Sequence, residues 1–278
     1  MLRQASRKKA KIRLGLSAVS GGGKTYSALL IGKGLANGDF SKVAIIDTEN
    51  GSADLYSHLG NYNVFTLKAP FSPERYIEAI KICQNAGMEV IIIDSITHEW
   101  DGVGGILSIA DSMTGNSYTN WGKITPRHNA FIQAILQSNC HMITTVRRKQ
   151  DYEMTTNSQG KLVPQKVGLK EVTREGFEYE LTLNLELDTN HNASCSKDRT
   201  GLFAGKPDFV PTEETGKFLL DWCESGEEEV PIEEMLKACK TIEELADLYS
   251  RLSLSEKERL QSLKDELKVS LTPKEKSK

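Results

Sequence analysis

The stretch Ile12-Arg13-Leu14-Gly15-Leu16-Ser17-Ala18-Val19-Ser20-Gly21-Gly22-Gly23-Lys24-Thr25 decides the fold. Ile12 to Val19 has the apolar content of a short strand, and Thr25 to Leu35 has helical spacing, with Leu29, Leu30 and Leu35 available to a core. Glycines between a strand and a helix let successive backbone N–H groups turn toward an anion. A lysine there reaches the outer phosphate oxygens, and a hydroxyl next to it serves Mg²⁺. Gly21 to Thr25 supplies all three, and the helix N-terminus adds a favourable dipole. The usual spacing, GxxxxGK[ST], asks for glycine at position 18, where this chain has Ala18. The order strand, glycine loop, helix predicts an ATP site on Ser20, Gly21, Gly22, Gly23, Lys24, Thr25 and Tyr26.

Outward from this unit, Lys42 to Asp47 is a continuous apolar strand, the pattern of a parallel strand covered on both faces. Ser72-Pro73 opens a helix that runs to about Ala86, with Ser72 as N-cap and Pro73 at the first helical position. Val90 to Asp94 is a third buried strand, a helix spans about Pro126 to Gln137, and His141 to Val146 is a fourth strand. Strands alternating with helices imply a doubly wound, largely parallel sheet. Residues 151 to 176 read as polar and strand-poor. Tyr179, Leu181, Leu183, Leu185 and Leu187 alternate with polar neighbours like a half-exposed antiparallel addition. Gly226 to Pro231 reads as a linker, followed by short amphipathic helices with capping boxes at Thr241/Glu244 and Ser255/Glu258. Ile242, Leu245, Leu248, Tyr249 and Leu252 would bury a small helical core or dock a partner, and a charged tail from Thr272 is expected to be disordered.

Asp94, an acid at the carboxyl end of a buried strand, is suited to hold Mg²⁺ together with Thr25. Asp47 and Glu49 follow the strand after the first helix, and either one suits orienting a water as general base. Lys197-Asp198-Arg199 suits neutralising charge on a terminal phosphate, in cis or from a neighbouring subunit; a solvated charge cluster is the alternative. Arg147, Arg148, Lys149, Lys161 and Lys166, with Lys170, Arg174, Tyr152 and Phe177, suit a phosphodiester backbone with base stacking, or a solvated loop. His98, His128, His141 and His191 have no metal-ligand spacing, and Trp100, Trp121 and Trp222 read as packing residues. Five widely spaced cysteines without a CxxC pair suit reduced thiols, and no apolar run has the length of a membrane span, so a cytoplasmic protein is expected. A net charge of −3 excludes a uniformly basic nucleic-acid binder, although Arg3, Arg7, Lys8, Lys9, Lys11 and Arg13 form a local basic run opposed by Glu224 and Glu227 to Glu229.

Three segments together, SGGGKT (20–25), IIDTENGSADLYSHLG (45–60) and VIIIDSIT (90–97), resemble the ATPase core of RecA-type recombinases. The middle one is similar to the recombinase segment whose strand-end glutamate activates water, which implies that role for Glu49. With residues 95–101, 144–152 and 196–200, the chain over roughly residues 10 to 223 resembles a family of bacteriophage and prophage AAA/RecA-like ATPases, some of whose members are implicated in single-strand annealing and recombination. Lys197-Asp198-Arg199 also resembles the Lys-x-Arg finger of hexameric replicative helicases, which implies a ring or filament with ATP at subunit interfaces. Segments 101–128 and 147–176 would then correspond by position to the two DNA-facing loops of a recombinase. RecA recombinases sense the γ-phosphate with a glutamine at the end of the fourth strand, a place matched here near Thr145.

The resemblance implies a RecA-like P-loop NTPase core of α/β class with a mainly parallel sheet and antiparallel additions over residues 1–223. A linker at 224–231, a small helical C-terminal module at 232–271 and a tail at 272–278 follow. It also implies Mg²⁺-ATP hydrolysis carried by Lys24, Glu49, Lys197 and Arg199, with Thr25 and Asp94 on the metal. The expected partners are single-stranded DNA, further copies of the chain and, through the helical module, a single-strand-binding protein. The alternative is a nucleotide-gated scaffold that binds proteins and no nucleic acid.

Overall fold

The computed structural model describes residue 4 and residues 6–156, 161–228 and 231–272. The expected tail beyond Thr272, together with Arg3 and Glu229, lies outside the described residues. Two compact units are present, one of Ala10–Ser225 and one of Met1–Lys9 with Gly226–Lys278.

In the larger unit the chain runs through β1 (Arg13–Ala18), α1 (Lys24–Leu35), β2 (Val43–Asp47), β3 (Asn63–Thr66), α2 (Pro73–Asn85), β4 (Val90–Asp94), α3 (Thr97–Asp101), α4 (Ile106–Ser112), α5 (Ser117–Leu136), β5 (His141–Thr156), β6 (Leu162–Glu171), α6 (Phe177–Glu180), β7 (Leu183–Leu187), β8 (Ala193–Asp198) and α7 (Glu213–Glu224). The sheet order is β3-β2-β4-β5-β1-β7-β8, with β6 paired to β5. All neighbours are parallel except β5/β6 and β7/β8. Because β5 lies between β1 and β4, Thr145 reaches Asp94 and Arg147 lines a cavity shared with the glycine loop.

Both faces of the sheet are covered, which is why β2 and β4 read as unbroken apolar runs. Alternate residues go to opposite sides. Leu16, Ile45, Ile92 and Ile143 pack under α1 and α7, while Ala44, Ile46, Ile91, Ile93 and Met142 pack under α2 and α5. Helices α1 and α7 meet at glycine. A Cβ on Gly34 would lie 2.7 Å from the Gly216 Cα, and one on Gly216 would lie 2.1 Å from the Ile31 carbonyl oxygen.

Several expectations are corrected here. Residues 151–176 are not strand-poor: β5 continues past Val146 to Thr156, and β6 returns along it as a long antiparallel hairpin with a bulge at Asp151/Tyr152. A hairpin exposed on both faces needs no apolar alternation, so its sequence lacks the usual strand signal. The alternating segment 178–187 is not an antiparallel, half-exposed strand either. It begins with the short helix α6, and β7 is mostly buried and runs parallel to β1, antiparallel only to β8. Helix α5 starts nine residues before Pro126, at Ser117, capped by the Asn116 side chain, which accepts from the Tyr118 N–H at 2.8 Å. Its buried residues Asn120, Ile124, His128, Phe131 and Ile135 keep one face across the proline. Arg13 is no surface cation. Its guanidinium donates to the carbonyls of Ile12, Leu136, Ser138 and Cys140, and burial lowers its pKa to about 10.

The smaller unit contains α8 (Ile232–Ala238), α9 (Ile242–Ser250) and α10 (Leu254–Leu271) around Leu236, Leu245 and Leu260. Thr241 caps α9 through the Glu244 N–H, but the capping box of α10 is Ser253/Glu256 rather than Ser255/Glu258. Residues 8 and 9 join this unit, with the Lys9 N–H donating to the Glu227 carbonyl at 2.9 Å.

Candidate functional site

The carboxyl ends of β1, β2 and β4 and the middle of β5 converge on a cavity of about 590 Å³ whose lining includes Lys24, Thr25, Tyr26, Glu49, Asp94 and Arg147. Gly21 and Gly23 have φ of 79° and 82°, a conformation that a side chain would strain, and a Cβ on Gly23 would meet the His191 ring at 2.7 Å. Gly23 is also the N-cap of α1 and offers no side chain to its first-turn N–H groups, so these stay open to an anion. The Lys24 ammonium turns onto the carbonyls of Val19 and Ala18, at 3.1 and 3.3 Å. Burial lowers its pKa, against the pull of Asp94 and Glu49.

The Thr25 hydroxyl donates to Asp94 Oδ2 at 2.6 Å, and the Thr145 hydroxyl donates to Oδ1 at 2.5 Å. Asp94 is only 1% exposed, and burial raises its pKa although both hydroxyls oppose the shift. A carboxylate that is costly to keep charged, held against a threonine hydroxyl at a phosphate loop, is a good partner for a hard cation. Among the described residues no cluster of three or more His, Cys, Asp or Glu forms a metal site. Mg²⁺ accepts such a sparse protein ligand set when phosphates and waters complete it, so Thr25 and Asp94 fit that ion.

The turn after β2 sends Asp47 and Glu49 to different surroundings. Asp47 is fully buried, and its oxygens accept from the N–H groups of Glu49 at 2.6 Å and Ala53 at 3.3 Å. It shapes the loop, and Glu49 faces the cavity. Arg147 holds both Glu49 oxygens, Nε donating to Oε1 at 2.8 Å and Nη2 to Oε2, while the Ser95 hydroxyl donates to Oε1 at 3.1 Å. Burial raises the Glu49 pKa, but the hydrogen bond and charge of Arg147, with His98 and Ser95, outweigh it and the net shift is downward. Thr48 braces the same corner, accepting from the Ser95 N–H at 2.8 Å and contacting His98 Nδ1 at 2.8 Å.

A family model described as an AAA domain matches residues 10–216. The chain belongs to the AAA-domain family. This is a family of nucleotide-binding P-loop ATPases, and the mostly parallel sheet with its glycine loop is the corresponding α/β core. No curated protein matches the chain.

Within the AAA domain the expected residues divide. Ser20, Gly21, Gly23, Lys24, Thr25, Tyr26, Glu49 and Asp94 line one cavity, and Gly22 lies within the same loop, its N–H donating to the Val19 carbonyl at 3.2 Å. Lys197 and Arg199 lie elsewhere. Lys197 donates to the carbonyls of Glu178 and Tyr179, and Arg199 to Tyr179 at 2.9 Å. Lys197 opens instead on a mixed-charge cleft of about 800 Å³ with Arg148, Lys170, Glu171 and Arg174. Asp198 between them organises the next turn, accepting from the N–H groups of Thr200, Phe203 and Ala204.

The basic residues expected on nucleic acid divide too. Arg147 lines the nucleotide cavity, and Arg148 pairs with Glu186 at 2.6 Å. Lys149, Lys161 and Lys166 are exposed on or beside the hairpin. Tyr56, His191, Val210 and Pro211 were not anticipated. Tyr56 meets Tyr26 edge-on at 5.8 Å between ring centres, and all four line the cavity. Nothing in their spacing marks them, because loops after β2, β7 and β8 bring them together only in the fold.

Proposed function

We propose that this protein is a Mg²⁺-dependent ATPase of phage type whose nucleotide state governs binding of single-stranded DNA during recombination, annealing or replication. The observation that carries the ATPase reading is the meeting of Lys24, Thr25, Asp94 and Glu49 around one cavity of about 590 Å³. The first-turn N–H groups of α1 and the Lys24 ammonium hold the phosphates, and the Tyr26 and Tyr56 rings with Val210 and Pro211 offer a wall for the base. Mg²⁺, when bound, would neutralise phosphate charge beside Thr25 and Asp94. Glu49 orients a water and takes its proton as the water oxygen attacks the γ-phosphorus and the bond to the β-phosphate oxygen breaks. Lys197 and Arg199, turned away from this cavity, serve the nucleotide of a neighbouring copy in a ring or filament.

The DNA reading is supported by the hairpin. Cross-strand neighbours share a face, so Tyr152 lies beside Lys166 and Met154 beside Pro164. Tyr152 and Met154 are 53% and 61% exposed. An aromatic ring next to a lysine offers base stacking and phosphate contact together. The same face also favours a second reading, a nucleotide-gated scaffold docking a protein on Tyr152, Met154, Leu162 and Leu169, all exposed.

Hydrolysis with and without single-stranded DNA, with oligonucleotide anisotropy at low and physiological salt, tests the proposal. DNA-stimulated turnover and ATP-dependent binding that weakens with salt are expected. Turnover with no DNA response at either salt would overturn the DNA reading in favour of the scaffold. Lys24→Ala is expected to abolish ATP binding with an unchanged circular dichroism spectrum, and retained affinity would remove the phosphate loop assignment. Mixed oligomers of Arg199→Ala and Glu49→Ala chains are expected to recover activity; no recovery would overturn the trans role.

A further inference from the structure

The side chains around the nucleotide cavity fall into two chemical classes. Lys24, Thr25, Glu49, Asp94 and Arg147, which have a fixed charge or a fixed partner, are hydrogen-bonded to the phosphate loop or to one another. These groups belong to the phosphate end. The rest of the wall is flat and largely apolar. Tyr26 stands in the first turn of α1, Tyr56 in the turn after β2, and Val210 and Pro211 in the loop after β8. The two tyrosine rings meet edge-on at 5.8 Å between centres, and Tyr26 and Val210 are 41% and 55% exposed. A planar base laid on this surface would cover it.

The remaining polar side chains of the lining are the hydroxyls of Ser20, Ser27, Ser52, Tyr26 and Tyr56 and the imidazole of His191. All of them are two-way groups. A hydroxyl rotates to donate or to accept, and an imidazole can carry a donor on one nitrogen and an acceptor on the other. Such groups serve the 6-amino group of adenine and the 6-carbonyl of guanine equally well. The Ser52 hydroxyl is buried and has no hydrogen-bond partner among the described residues, so it is open to a ligand group of either kind. A pocket rejects the wrong ligand strongly only when a fixed donor or acceptor is left unpaired against it. Apolar surface and rotatable hydroxyls reject weakly.

We propose that this site recognises the phosphates and a flat purine ring but not which purine it is, so that the protein takes ATP and GTP alike, with Tyr26 and Tyr56 setting affinity through ring contact. This rests on the ATPase reading above and widens its substrate to the class of purine nucleoside triphosphates. Pyrimidine nucleotides, with a smaller ring to lay against the tyrosines, bind more weakly.

The test is calorimetry with ADP, GDP, CDP and UDP in the presence of Mg²⁺, together with phosphate release from ATP and GTP. Both are run on the full chain and its Tyr56→Ala and Tyr56→Phe variants, each checked by circular dichroism. ADP and GDP are expected to bind within about fivefold of each other, and ATP and GTP to agree within about fivefold in kcat/KM. CDP and UDP are expected to bind roughly tenfold more weakly. Tyr56→Ala loses roughly tenfold or more in affinity for ADP and for GDP to the same extent, because the ring contact is common to both. Tyr56→Phe keeps most of the affinity for both. A preference for ADP over GDP above about fiftyfold would overturn the proposal while leaving the ATPase reading intact, since it requires a fixed reader of the base edge. A Tyr56→Phe loss confined to one purine would overturn it as well. Equal affinity for all four diphosphates, unchanged in Tyr56→Ala, would overturn the role of the rings. Failure of the unsubstituted protein to bind any of the four would remove the ATPase reading, and this inference with it.

Discussion

The two halves of β5 behave as different materials. His141 to Val146 is buried between β4 and β1, Arg147 makes the last pairing with β1, and from Arg148 onward the same strand pairs only with β6. In the inner half each side chain is specified by packing on both faces, and Thr145 places its hydroxyl on Asp94. In the outer half packing specifies little, so Tyr152 and Met154 can face solvent. The change falls at Arg147, which lines the nucleotide cavity. One strand can thus be scaffold at one end and contact surface at the other, with a charged residue at the junction.

The largest effect that would sharpen this contrast is chemical. Glu49→Gln, which removes the acidic partner of the junction residue, is expected to lower turnover by roughly 10²- to 10⁴-fold, measured by phosphate release at saturating ATP. Near-normal turnover would mean that Glu49 is not the base. Next is stability of the inner half. Ile143→Ala, at a fully buried position, should cost about 2–5 kcal/mol in a urea melt. A loss below about 0.5 kcal/mol would erase the distinction between the halves.

The outer half should give the reverse. Tyr152→Ala is expected to leave stability within about 0.5 kcal/mol while weakening oligonucleotide binding by about 1–3 kcal/mol. If it unfolds the protein instead, the hairpin is core and the comparison fails. The smallest effect concerns pH. The Glu49 pKa is held below its ordinary 4.5 in the folded chain, so its contribution is present above that pH and is lost as pH falls through the folded value. The melting-temperature difference between the unsubstituted protein and Glu49→Gln should therefore narrow on acidification. It should correspond to under about 1 kcal/mol at neutral pH because the Arg147 side chain is 42% exposed. A difference that widens toward low pH would contradict the pair.

Local pattern by itself determined the glycine loop, the buried strands Val43–Asp47 and Val90–Asp94, the start of α2 at Ser72-Pro73 and the candidates Lys24, Thr25 and Asp94. These features rest on short-range physics: positive φ at glycine, proline at a helix start, continuous apolar runs between covering helices. Tertiary structure alone decided the rest. Asp47 and Glu49 are two residues apart and chemically alike, and only the loop that Asp47 ties down points one inward and the other to the cavity. The hairpin escaped notice because strands exposed on both faces carry no alternation. The Arg147–Glu49 pair joins residues 98 positions apart, and Lys197 and Arg199 are drawn to the carbonyl of Tyr179 rather than to their own phosphate loop. Such contacts follow from strand order, with β5 between β1 and β4, and strand order is set by how whole elements bury their faces.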